Sequence, residues 1–176
     1  MKKLFVTFLI LSFGVNAFCQ LIYPLNINDM AQIKFAGTAV EMSLPGKIVV
    51  YAYQGIQQSY IVNAAHLKMP IVDVSVSATR DNFYNHQITL EVGAVKGTLL
   101  YKKNIQIDGI NGVEYSYSFV KQNVKIYNYN RFVFFNEIGI DYYIMSREPL
   151  KQNDKILNDY FNSFRITIPK KTIHSL

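Results

Sequence analysis

Val113-Glu114-Tyr115-Ser116-Tyr117-Ser118-Phe119-Val120 alternates with a period of two. Tyr115, Tyr117 and Phe119 fall on one side, and Glu114, Ser116 and Ser118 on the other. That period marks a β-strand whose two faces meet different surroundings. Val124 to Phe135 and Ile138 to Ser146 follow, rich in β-branched and aromatic residues, with Asn136-Glu137 between them as a hairpin turn. Strands joined by so short a connection run antiparallel, because a parallel crossover needs about a dozen residues.

Working outward, Thr98 to Asp108 reads as another strand, closed by a turn at Gly109-Ile110-Asn111-Gly112. Before it the period changes. From Arg80 to Lys96, Phe83, Gln87, Leu90 and Ala94 recur at helical steps, Thr79 is placed as a cap, and Gly97 as a stop. Further upstream, Gln32 to Ala36, Thr38 to Leu44, Lys47 to Tyr53, Ser59 to Leu67 and Ile71 to Ser77 read as strands, with Pro45-Gly46 turning one pair. Downstream of Pro149, a second helix is expected over Asn153 to Phe164. Ile156, Leu157, Tyr160, Phe161 and Phe164 form its stripe, and Asn153 or Asp154 its cap. Ile166 to Ile168 is a short extension. The order predicts an α+β fold, a largely antiparallel sheet with two amphipathic helices packed on it.

The chain has 176 residues, 50% of them hydrophobic and 17% charged, which excludes a disordered protein. Met1-Lys2-Lys3, the apolar run Leu4 to Phe13 and the exit Ala17-Phe18-Cys19 have the three parts of a secretory signal peptide. The apolar run is too short for a membrane span, which takes about 20 residues. The expected organisation is a signal peptide at 1–19, a loose segment at 20–31, one domain at 32–168 and a basic tail at 169–176. The product would be periplasmic or extracellular, with no transmembrane span. Cys19, the only cysteine, would leave with the leader; a lipid anchor there is the less favoured alternative, since Asn16 and Phe18 do not suit a lipoprotein signal. The net charge of +6 falls by two when Lys2 and Lys3 go, a mild excess that gives no argument for nucleic acid.

The layout resembles the PsbP-like and DcrB-like family, named for an extrinsic subunit of photosystem II. The residues that carry the likeness are Leu44-Pro45-Gly46, the helix at Arg80 to Lys96, and Asp108-Gly109-Ile110-Asn111-Gly112-Val113-Glu114-Tyr115. With them go the Arg131 strand, the Tyr142-Tyr143 strand and the closing Phe161-Asn162-Ser163-Phe164. The resemblance covers about Gln32 to Ile168. It implies a PsbP-like sandwich, a central antiparallel sheet with helices against it. It implies a role in binding or assembly and supplies no shared catalytic residue set.

The search for chemistry yields little. No G-x-S-x-G elbow, H-E-x-x-H, G-x-G-x-x-G or phosphate loop is present. His66, His86 and His174 stand alone, and His66 would meet Asp73 only by chance of folding. Glu41, Glu91, Glu114 and Asp141 are available as carboxylates, but spacing pairs none of them. No cofactor and no metal are expected. One constellation suits recognition: Lys125, Tyr127, Tyr129 and Arg131 share a strand face, and tyrosine with arginine is the composition of binding hot spots. Packing of the tyrosines and a cross-strand Arg131–Asp141 pair is the competing account. The functional expectation is an exported, non-catalytic module that binds an envelope protein or assists assembly. A small-ligand carrier and a hydrolase whose site is invisible in sequence are the alternatives.

Overall fold

The computed structural model describes residues 21–27, 29–67 and 76–167. In chain order the elements are β1 (Tyr23–Ile27), β2 (Ala31–Phe35), β3 (Val40–Leu44), β4 (Ile48–Gln54), β5 (Gln58–His66) and α1 (Ser77–Ala94). They continue with β6 (Thr98–Ile107), β7 (Ile110–Lys121), β8 (Val124–Phe135), β9 (Ile138–Ser146), α2 (Lys155–Ser163) and β10 (Arg165–Ile166). The leader at 1–19, the tail at 169–176 and most of the strand expected at Ile71 to Ser77 lie outside the described residues. Ser77 itself opens α1.

β6 to β9 form a meander because each connection is a two-residue turn. Asp108-Gly109, Gln122-Asn123 and Asn136-Glu137 all have positive φ at both positions. Such turns match the right-handed twist of the strands they join. Gly109, at φ 85°, is the residue best suited to that backbone. The first of these turns comes earlier than expected, so β7 begins at Ile110 and absorbs Asn111 and Gly112.

β3, β4 and β5 make a second meander. The two blocks join where β5 pairs antiparallel with β9, Ile61 opposite Tyr143 and Asn63 opposite Asp141. The result is one seven-stranded antiparallel sheet in the order β3-β4-β5-β9-β8-β7-β6. A second sheet, β1-β2-β10, has three strands. The start expected to be loose is therefore a strand, with Leu25 opposite Ile33. Ile27 and Ile33 are fully buried, and that burial holds it in place.

The two faces of the large sheet bury different cores. One packs Val133, Phe135, Ile140, Tyr142 and Ile144 against α2 and the small sheet. α2 contributes Leu157, Tyr160 and Phe161, and Phe164 follows directly. The Tyr160 hydroxyl bonds the Ile61 carbonyl at 3.0 Å, and Phe164 stacks on Tyr142 at 4.3 Å between centroids. Asp154 caps α2, its carboxylate accepting from the Ile156 amide at 3.0 Å. Each such buried side chain stabilises the fold by about 1.5–3 kcal/mol.

The opposite face packs α1 through Phe83, Tyr84 and Ile88 against Val113, Tyr115, Tyr117, Phe132 and Phe134. Here the structure corrects the helix reading. α1 starts three residues earlier, with Val76 as a cap that offers no side-chain bond, and Thr79 lies inside its first turn. Its buried stripe includes Tyr84 and Ile88, whereas Leu90 is 55% exposed. The end is a Schellman motif: Gly97 N–H bonds Val92 C=O at 2.8 Å, and Lys96 N–H bonds Gly93 C=O at 3.0 Å. Lys96, at φ 51°, takes the left-handed position.

Candidate functional site

The C-terminal half of α1 stands off the sheet and leaves a cleft of about 520 Å³. Its apolar wall includes Leu67, Leu90, Ala94 and Val95. Its polar floor is made of Asn63, Glu91, Tyr115, Tyr117, Asp141 and Tyr143. Period-two geometry explains the floor. Tyr115 and Tyr117 on β7, Asn128 and Asn130 on β8, Asp141 and Tyr143 on β9, and Asn63 on β5 all have the parity of the α1 face. Gly139 lets Leu67 and Phe132 pack close on the β9 backbone: a Cβ there would lie 2.8 Å from Leu67 Cδ1 and 3.0 Å from Phe132 Cε2.

Glu91 reaches the floor from α1. It accepts hydrogen bonds from the Tyr115 hydroxyl and, at 2.8 Å, from the Tyr117 hydroxyl. Asn128 Nδ2 donates to the Tyr117 oxygen at 2.6 Å, so a donor chain runs from Asn128 through Tyr117 to Glu91. Asp141 has no such support. Its Oδ1 is buried without a hydrogen-bond partner, as are both amide atoms of Asn130 and Oδ1 of Asn128.

Electrostatics follow from this burial. Desolvation raises the Glu91 pKa above its ordinary value, and the two tyrosine hydrogen bonds offset only part of the shift. Asp141 is raised well above its ordinary value, by burial first and by the Glu91 charge second. Tyr115 and Tyr143 are raised by burial and by the neighbouring carboxylates. No Lys, Arg or His lines the cleft among the described residues. Two carboxyls with raised proton affinity therefore share one site, with no cation to hold either charge.

The stripe singled out on β8 is arranged differently. Tyr129 is only 4% exposed, and its hydroxyl bonds both the carbonyl and the amide of Leu150. Arg131 is covered by α2: its guanidinium lies over the Phe161 ring at 4.6 Å. Its Nε donates to Glu114 Oε2 at 2.7 Å, and Lys103 pairs with the other oxygen at 2.7 Å. Lys125 is exposed and Tyr127 half-buried, with the ammonium of the first near the ring of the second. The four residues therefore present no continuous exposed face, because Tyr129 is buried and bonded to Leu150 and Arg131 lies under α2. Nor does Arg131 pair with Asp141. The two-residue turn sets Phe135 opposite Ile138, so Arg131 falls opposite Tyr142, and Asp141 opposite Phe132 points to the α1 side.

His66, at the end of β5, and His86, on α1, are both exposed, and His174 and Asp73 lie outside the described residues. No group of three or more His, Cys, Asp or Glu suited to a metal is assembled among the described residues. Glu91 and Asp141 were only two of several available acids in the sequence. The signal for Asp141 was its place inside the apolar strand Ile138 to Ser146, where aspartate is depleted unless something requires it.

No family model matches the chain, and no curated protein is similar to it. Among solved structures, the chain is similar to the solution structure of cyanobacterial PsbP (CyanoP) from Synechocystis sp. PCC 6803. The likeness covers 88% of this chain and 99% of that one, with a TM-score of 0.53 and 11% identity. The crystal structure of a protein of unknown function, PA94 from Pseudomonas aeruginosa, matches 62% of this chain and 83% of its own. Its TM-score of 0.41, at 11% identity, is too low to argue from. No helix among the described residues is long and apolar enough to cross a membrane. The likeness at this identity is one of fold, and the chain has a PsbP-like α+β fold.

Proposed function

We propose that the chain is an exported, non-catalytic binding module that takes its ligand in the cleft between α1 and the sheet. One observation carries this reading. Two carboxyls, Glu91 and Asp141, line an open space of about 520 Å³ with no cation beside them among the described residues, and the buried Oδ1 of Asp141 lacks a hydrogen-bond partner. Native structures leave few such atoms unsatisfied, and a bound molecule supplies what they miss. Export is supported by the leader-like start, Met1-Lys2-Lys3 to Cys19. A non-enzymatic role is supported by the lining, which contains no Ser, Cys, His or Lys to serve as nucleophile or base partner. The cleft favours a small ligand over the protein partner suggested by the β8 stripe.

A second reading has one observation in its favour. Glu91 and Asp141 hold protons more tightly than isolated carboxyls, and such shifted pairs are the material of acid–base catalysis. One experiment separates the two. Purify the protein from its native envelope, release what it carries, and identify it by mass spectrometry before and after prolonged incubation with the protein. A small molecule recovered unchanged supports the binding module; a converted product supports the acid–base reading. An empty protein that no compound of any charge perturbs at the cleft overturns both.

A further inference from the structure

The inference rests on the reading of the cleft as a ligand site and names the chemistry of what enters it. We propose that the cleft receives a compact organic ammonium ion, its N–H groups bonded to Asp141 and Glu91 and its carbon chain laid along Leu67, Leu90 and Val95.

Asn63, Gln87 and the tyrosines offer the cleft donors as well as acceptors, but the charge-bearing groups of its lining are two acids, Glu91 and Asp141. Asp141 Oδ1 is buried with no donor at all, in the middle of a sheet where the backbone amides are committed to their own ladder. Leaving a buried acceptor unpaired costs more than the mean worth of a hydrogen bond. Glu91 already takes the two tyrosine hydroxyls, and carboxylate oxygens accept more than one bond each. A neutral ligand bearing only acceptors gives the carboxyl oxygens no donor. An ammonium group supplies donors and charge together.

Charge points the same way. The polar side chains that line the cleft with the pair are Tyr115 and Tyr117 from β7, Tyr143 from β9, Asn63 from β5 and Gln87 from α1. None is cationic, although the chain as a whole carries a net +6. The aromatic faces of the tyrosines and Phe132 are themselves attractive to a cation. A bare metal ion fits less well. A hard divalent cation asks for six or more oxygens at close range, and no cluster of three ligating side chains is assembled among the described residues. The volume and the Leu67, Leu90, Ala94 and Val95 wall are left over for carbon.

A cation bound by the two acids favours their ionised forms. Binding therefore releases a proton, and affinity rises with pH across the titration of the pair. The probe is n-butylammonium, with n-butanol and butyrate as controls of equal length and different charge, and calcium as the metal control. Titrations followed by calorimetry in buffers of different ionisation enthalpy, and by amide resonances, read affinity, proton release and place.

The expected result is binding of n-butylammonium with shifts at Glu91, Tyr115 and Asp141, and affinity that rises with pH. n-Butanol should be weaker by about tenfold or more, the worth of a charged hydrogen bond. Asp141→Asn should lower butylammonium affinity by a similar factor. Leu90→Trp, which fills the mouth from an exposed position, should block binding without disturbing the fold. Equal or tighter binding of n-butanol or butyrate at the cleft would overturn the cation and leave the binding module standing. So would calcium binding there in place of butylammonium. Silence of the cleft towards every probe would overturn both.

Discussion

Replacing Arg131 by alanine tests whether the β8 stripe is packing or recognition. Glu114 is 4% exposed and holds two cations, Arg131 at 2.7 Å on one oxygen and Lys103 at 2.7 Å on the other. Removing one partner of a buried pair costs about 3–5 kcal/mol, because it leaves an uncompensated charge in a desolvated place. Lys103 remains here and its side chain is half exposed, so the lower end applies, about 3 kcal/mol. Loss of the guanidinium contact on Phe161 adds roughly 0.5–1 kcal/mol.

For a domain of this size each kcal/mol moves the melting temperature by roughly 2–4 °C, so a fall of about 7–16 °C is expected at neutral pH. Burial works to raise the Glu114 pKa, but the bonds from Lys103 and Arg131 prevail and hold it below the ordinary carboxylate value. A depressed folded value means that the stability this site contributes is present above the unfolded pKa, about 4.3, and lost as pH falls through the folded one. The penalty of Arg131→Ala should therefore shrink in acid, where a protonated Glu114 no longer needs a cation. Equilibrium urea unfolding at neutral and acid pH measures both. A loss under about 1 kcal/mol at neutral pH, or a loss that does not change with pH, would refute the packing account. Restoration of stability in Arg131→Met/Glu114→Leu, which removes both charges, would support it further.

Three other outcomes are expected. Phe164→Ala should cost about 3–5 kcal/mol, since the ring is fully buried and stacked on Tyr142; a midpoint shift worth under about 1 kcal/mol would show that α2 merely decorates the sheet. Glu91 and Asp141 have raised folded values, so their contribution is intact below the unfolded pKa, about 4, and lost as pH rises through the folded values. Asp141→Asn should accordingly be more stable than the parent at neutral pH and lose that advantage near pH 4, which denaturant midpoints at the two pH values will show. The exported product should begin at Gln20, and intact-mass spectrometry that finds a diacylglycerol on Cys19, or Met1 still attached, contradicts the processing proposed from the leader.

The strands nearest the hairpin turn at Asn136-Glu137 were legible to the residue, because a strong alternating pattern met an abrupt polar pair. β1 was not, because Pro24, Asn26 and Asn28 interrupt its apolar residues and only pairing with β2 reveals it. α1 is legible as a helix, but of the expected stripe only Phe83 is buried, while Gln87, Leu90 and Ala94 line the cleft. The core contact passes instead to Tyr84, whose hydroxyl bonds the Asn111 carbonyl and the Phe134 amide, and to Ile88. The β8 stripe shows what parity leaves open. It places Tyr129 and Arg131 on one side correctly, and says nothing of which helix will lie on that side. The cleft was hidden for the same reason: Glu91 and Asp141 are 50 positions apart in the chain, and only the β5–β9 junction and the stand-off of α1 bring them together.

The central claim is that α1 and the sheet set two half-buried acids of raised proton affinity in one cleft. Carbon-detected resonance titration of the Glu91 and Asp141 side-chain carboxyls measures it directly. The account predicts that both titrate above the ordinary carboxyl values of about 4, and that each shifts when the other is replaced by its amide. Two independent titrations near 4 would contradict it, and would mean that water fills the cleft and the acids do not meet.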